Sequence, residues 1–102
     1  MQTGTGSPIL ERMSHVRQNP ALSRFELDAD GHTAFASYKL SDGVLLMTHT
    51  ETPPALRGRG IGERLVLGAL GQARQQGLKV NPLCSFVRFV ISKHPEFQNL
   101  TT

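Results

Sequence analysis

The stretch Arg57-Gly58-Arg59-Gly60-Ile61-Gly62 carries the strongest chemical signal in the chain. An apolar-periodic run from Ile61 to Ala73 follows it, so it reads as a glycine-rich turn that delivers backbone N–H groups onto a helix N-terminus. The first N–H groups of a helix have no partner inside it, and the aligned peptide dipoles leave partial positive charge there. Glycines remove the Cβ atoms that would hold a ligand away, and they permit positive φ. Arg57, Arg59 and Arg64 crowd the same place. A strand-to-helix turn with no ligand would explain the glycines but leaves those like charges repelling one another. The anion that matches such a loop is a phosphate or pyrophosphate.

Two phosphate-loop patterns do not fit. In the dinucleotide fingerprint G-x-G-x-x-G, counting from Gly58 puts Glu63 at the third glycine, and counting from Gly60 puts Leu65 there. The P-loop needs a Gly-Lys pair, and the chain has none. The spacing of Arg57, Gly60 and Gly62 does resemble the acetyl-CoA loop of the Gcn5-related N-acetyltransferases. The ordered set His49-Thr50-Glu51, the loop, Val80-Asn81-Pro82-Leu83-Cys84 and Lys93-His94-Pro95-Glu96-Phe97 is similar to the small branch of that superfamily, over Phe25 to Leu100. One departure is Thr52, where the family commonly has an aliphatic residue.

The resemblance implies acetyl-CoA as co-substrate. The amides from Arg57 through Gly58, Arg59, Gly60 and Ile61 to Gly62 would hold its pyrophosphate, with Arg57 and Arg59 touching phosphate. Arg64 could equally be a solvated helix residue. His49 and Glu51 stand two apart on a strand and therefore share a face. A lysine-like amine must lose its proton before it attacks a thioester, which costs about 4–5 kcal/mol at pH 7. A carboxylate or imidazole beside it can take that proton, directly or through water. The same two residues could instead be a packed strand histidine and a strand-end charge.

Cys84 is similar to the cysteine that the small branch places near the acetyl group, where it would act as nucleophile or as proton donor to the leaving thiolate. A thiol before a helix start can have its pKa lowered, although most free cysteines are simply buried. Direct attack of the amine is the simpler route. His94, past the last helix, reads as a helix-end partial cation.

The elements that must position these groups follow from the pattern. Met1 to Pro8 is expected to be a disordered leader, and residues 9–100 a single domain. Ile9, Leu10, Met13 and Val16 are spaced for one short helical face within Ile9 to Asn19. Arg24 to Glu51 reads as an antiparallel meander of three strands, turned at Asp30-Gly31 and Ser41-Asp42-Gly43, with Phe25 and Leu27 on one side. Pro53-Pro54 forces the chain out of the sheet. The helix buries Ile61, Leu65, Val66, Ala69, Leu70 and Ala73 and is capped near Gly77. Gly68 and Gly71 suggest that its backbone lies close to the sheet.

A fourth strand, Leu78 to Cys84, should pair parallel with the third and splay from it at Asn81-Pro82. In the family such a splay makes the slot for the pantetheine arm. Phe86, Val87, Phe89, Val90 and Ile91 form an apolar C-terminal helix with Ser85 as N-cap. The fold class is thus α+β, a minimal acetyltransferase-like sheet of about four strands, mixed but mostly antiparallel, with a CoA-loop helix and a C-terminal helix.

Composition narrows the function. With 11 basic and 8 acidic residues in 102, the excess of positive charge is modest, and with one Tyr and no Trp there is little for base stacking. A small basic nucleic-acid-binding domain is therefore the weaker alternative, and a CoA-binding module without catalysis the nearer one. One cysteine excludes an intramolecular disulfide and suits a reducing cytoplasm. No apolar run reaches membrane-spanning length, the histidines and Cys84 lack metal-ligand spacing, and nothing demands an oligomer. The expected activity is an N-acetyltransferase acting on an amine, small molecule or protein, whose identity the sequence does not specify.

Overall fold

The structure is a computed structural model and describes residues 15–102. The meander forms as expected. Strands β2 (Arg24–Ala29), β3 (His32–Ser41) and β4 (Val44–Glu51) pair antiparallel in sequence order. Both hairpin turns place an Asp-Gly pair at positive φ, Asp30 at 49° with Gly31 at 78°, and Asp42 at 51° with Gly43 at 77°. That backbone twist matches the right-handed twist of the strands it joins.

Two expectations need correction. The sheet has five strands, because β1 (Arg17–Asn19) pairs antiparallel with β2 along the outer edge. The helical face read from Ile9 to Asn19 therefore ends in strand at Arg17–Asn19, where edge pairing overrides the local period. Ile9 to Ser14, like the leader Met1 to Pro8, lies outside the described residues.

Helix α1 (Ile61–Gln75) lies on the sheet. Its expected face, Ile61, Leu65, Val66, Ala69, Leu70 and Ala73, is buried, and Gly62 and Gly68 are buried with it. The helix ends in a Schellman motif: Gly77 at φ 72° donates to the Arg74 carbonyl, and Leu78 N–H donates to the Ala73 carbonyl at 2.9 Å. Across the sheet, Phe25, Leu27, Ala34, Ala36, Tyr38, Leu45 and Met47 complete the core from β2, β3 and β4. Strand β5 (Lys79–Pro82) then pairs parallel with β4, as the helical crossover requires.

Helix α2 (Ser85–Lys93) buries Val87, Val90 and Ile91, but Phe86 is only half-buried and Phe89 is 53% exposed, so it is less apolar inward than its sequence suggests. Its N-cap is Cys84, one residue earlier than the expected Ser85. A 3-10 segment (Pro95–Leu100) carries Phe97 and Leu100 back into the core. No helix among the described residues is long and apolar enough to cross a membrane.

A charged cluster ties β1 to the sheet. Glu26 is 3% exposed and receives Arg24 Nε and Arg17 Nη2, each at 2.6 Å, and Asn19 Nδ2 at 3.1 Å. The Arg24 hydrogen bond holds the Glu26 carboxyl below its ordinary pKa. Burial opposes that lowering, and Asn19 and Arg17 reinforce it. Because the folded-state pKa lies below the unfolded one, the stabilisation is present above the unfolded value and disappears as pH falls through the folded one. Glu26→Gln should therefore lower stability at pH 7 by about 1–3 kcal/mol, the worth of hydrogen bonds to a charged group. In urea titrations the gap to the parent protein should close below about pH 4.

Candidate functional site

The glycine loop is anchored at both ends and bare between them. After β4, Pro54–Leu56 makes one 3-10 turn whose Leu56 is fully buried, and Ile61 at the far side is 1% exposed. Arg57 to Gly60 stand exposed between these anchors. Gly58 and Gly60 take φ of 78° and 73°, a region costly for any residue with a Cβ. A Cβ on either would meet nothing within 4 Å, so it is the backbone turn that calls for glycine, and the space above the loop is open.

From Gly58 to Glu63 no backbone N–H makes a hydrogen bond of good geometry to an acceptor among the described residues. The ladder begins at Arg64, which donates to the Gly60 carbonyl at 3.1 Å. These amides sit at the positive end of α1. Gly62 serves a different purpose: a Cβ there would stand 3.1 Å from Thr52 Oγ1 and 3.2 Å from the Phe86 ring. Its missing side chain lets the first turn of α1 lie against both. Thr52, the departure from the family pattern, is thus part of the loop's seat.

The arginines divide. Arg57 Nε donates to the Thr52 carbonyl at 3.3 Å, which folds its exposed guanidinium along the loop. Arg59 Nη1 pairs with Asp30 Oδ2 at 2.6 Å, across to the β2–β3 turn. Mutual repulsion is thereby relieved at Arg59 by a carboxylate of the protein itself. Sequence reasoning missed Asp30, since nothing local signals that the hairpin tip comes beside the loop.

Strand β4 ends in an irregular stretch. Ser37 opposes His49 while Tyr38 opposes Met47, which makes Thr48 an extra residue in the β4 edge. Beyond Met47 the pairing with β5 stops at Pro82, and only the Cys84 N–H still reaches the Met47 carbonyl, at 2.9 Å. The splay expected at Asn81-Pro82 falls later: both residues still pair with Leu46 and Met47, the strands part only after Pro82, and the segment from Thr48 to Glu51 is left without a β5 partner.

His49 Nε2 lies 2.9 Å from Glu51 Oε1, and both side chains are more than half exposed. The Phe35 ring is their neighbour, 6.2 Å from the His49 ring, and Arg24 lies over that same ring. Cys84 is not part of this group. Its sulfur is 3.6 Å from Thr50 Oγ1, and Thr50 shares a face with buried Ala36, opposite to His49 and Glu51. Thr50 was missed as well, though the period of two along β4 already separates it from its neighbours. The structure therefore brings two of the three expected reactive residues together and puts the third behind the strand, at the splay.

Opposing influences act on the Cys84 thiol. Its partial burial is the largest and disfavours the thiolate. The Thr50 hydroxyl and the backbone N–H groups of Val87, Phe86 and Thr50 favour it and prevail, leaving the pKa below the usual thiol value. Cys84 makes no capping hydrogen bond of normal geometry, so the helix amides act on the sulfur as oriented dipoles. His94 stands at the α2 C-cap with Nε2 2.8 Å from Glu63 Oε2, and it closes that helix against the first turn of α1.

Comparison with known proteins agrees with this architecture. Residues 24–100 match the family model for GCN5-related N-acetyltransferase. Protein NATD1 of Mus musculus is 31% identical over 91 residues, spanning 88% of this chain and 80% of the relative. Protein NATD1 of Gallus gallus is 33% identical over 52 residues, spanning 51% of this chain and 47% of the relative. The NMR solution structure of a GCN5-like protein from Staphylococcus aureus superposes with a TM-score of 0.65 at 24% identity, covering 85% of this chain and 86% of that one. A meander leading into a bare glycine loop, a parallel fifth strand that parts from the fourth, and a family match over most of the chain lead to one assignment: the chain belongs to the GCN5-related N-acetyltransferase family.

Proposed function

We propose that this protein binds acetyl-CoA through the Arg57–Gly62 loop and transfers the acetyl group to an amine. The observation that carries the reading is the run of unengaged amides from Gly58 to Glu63, its first three residues exposed, at the start of a helix in a chain of this family. An anion seated there gains oriented N–H donors and the helix dipole together. The open space over Gly58 and Gly60 leaves room for a diphosphate, and Arg57 stands beside it.

The rest of the site suits the thioester. Where β5 leaves β4, the Thr48 to Glu51 edge offers backbone groups to an extended arm that takes the place of a strand. The His49–Glu51 pair on the exposed face receives the proton of the incoming amine. The amine nitrogen then bonds to the acetyl carbon, the carbon–sulfur bond breaks, and the CoA thiolate takes up a proton. Cys84, with its lowered pKa, lies at the splay rather than with the pair, and the direct transfer does not route the acetyl group through it. A free thiol suits a reducing compartment such as the cytoplasm. The acceptor is a small molecule or protein amine. The exposure of His49 and Glu51 makes the acceptor side open rather than a closed pocket. A nucleic-acid role is disfavoured by the modest excess of basic residues and the lack of Trp for base stacking.

Titration with acetyl-CoA should shift the amide resonances of Gly58 to Gly62 more than any others. Unmoved amides would end the assignment. Asp30→Asn releases Arg59 and removes a negative charge near the phosphates, so CoA affinity should rise several-fold, and the gain should shrink in high salt. Glu51→Gln should lower kcat on an amine substrate about a hundredfold with little change in acetyl-CoA affinity. Cys84→Ala should keep most of the turnover, and intact mass of the parent protein should show no acetyl adduct. A turnover that collapses in Cys84→Ala would point to the covalent route instead.

A further inference from the structure

The exposed aromatic face of α2 has no place in the chemistry above. Phe86 and Phe89 have ring centroids 6.3 Å apart, and with Phe89 53% exposed the two rings form an aromatic patch on the surface of α2. The pair is continuous with the loop. Atoms of the Phe86 ring stand 3.2 Å from the point where a Gly62 Cβ would be. Along α2 the order is Cys84 at the splay, then Phe86 beside the loop, then Phe89, then Lys93. Lys93 Nζ lies 5.0 Å from the centre of the Phe89 ring and 3.2 Å from Glu63 Oε1, on the first turn of α1. The strip thus runs from beside the loop to the first turn of α1, within reach of the far end of a molecule whose diphosphate sits on the loop and whose reactive end sits at the splay.

We propose that Phe89 is the stacking seat for the adenine of CoA, with the Lys93 ammonium beside it for the ribose 3′-phosphate. The inference rests on the loop reading given above and adds to it the residues that select the nucleotide end. The half-exposed ring offers a flat apolar face to the base, and stacking on an aromatic side chain is a substantial part of base affinity. Lys93 is placed by two contacts, the Phe89 ring and Glu63, so its charge is already oriented when a phosphate arrives.

The chain has no Trp, so Phe89→Trp installs a single fluorophore at the proposed seat. CoA and adenosine 3′,5′-bisphosphate should quench Trp emission in this variant, whereas 4′-phosphopantetheine, which lacks the base, should not. In a parallel binding series, Phe89→Ala should weaken CoA about tenfold and leave 4′-phosphopantetheine unchanged. Loop amides that shift with CoA while Phe89→Ala binds CoA as tightly as the parent protein would overturn the seat and leave the loop reading standing. Loop amides that shift with neither ligand would overturn both. Equal weakening of both ligands by Phe89→Ala would also overturn the seat, since the effect would then not belong to the base.

Discussion

The start of α1 is pinned while the residues just before it are not, and the candidate chemistry follows from that contrast. Leu56 and Ile61 are buried on either side of an exposed turn. Gly62 lets the helix settle against Thr52 and Phe86 at a distance a methyl group would disturb. Held at both ends, the turn cannot collapse onto its own N–H groups. Backbone donors left unpaired are normally costly, and from Gly58 to Gly60 they stay tolerable because these residues are exposed. The same exposure makes them available to an anion.

A second constraint comes from proline. Pro53 and Pro54 stop β4 from continuing, and Pro82 is the last β5 residue in register with it. Between these points β4 and the edge strand β5 part. Where β4 loses the β5 ladder it keeps β3 on one side and has unpaired polar groups on the other, which need water or a ligand. The bulge at Thr48 bends the β4 edge in the same region. Stability is supplied elsewhere, by the helix face buried on β2, β3 and β4 and by the Arg17–Glu26–Arg24 cluster that holds the short outer strand.

Charge is distributed with the same economy. The Arg59–Asp30 pair is exposed on both sides, so it is weak and exchangeable. Glu63, at the start of α1, is shared between His94 and Lys93, which ties the two helices. Cys84 shows how position changes chemistry: burial alone would raise its pKa, and the Thr50 hydroxyl, joined by the backbone N–H groups of Val87, Phe86 and Thr50, reverses the sign.

Much of this was legible in the chain itself. The Asp-Gly pairs can only turn, the spacing from Ile61 to Ala73 can only bury one side of a helix, and a helix between two strands makes them parallel. The glycine and arginine spacing already pointed to a phosphate, because local backbone geometry and local charge are both properties of short stretches. What lay beyond the sequence was every contact between distant segments. The edge strand Arg17–Asn19 exists only because Arg24 to Ala29 is there to pair with it. Asp30 meets Arg59, Thr50 meets Cys84, and Phe86 meets Gly62 only once the sheet and helices have packed. Types and periods of residues decide which elements form and which faces they bury. Which side chains then share one square nanometre is decided by strand register and helix placement, since those depend on the whole core at once.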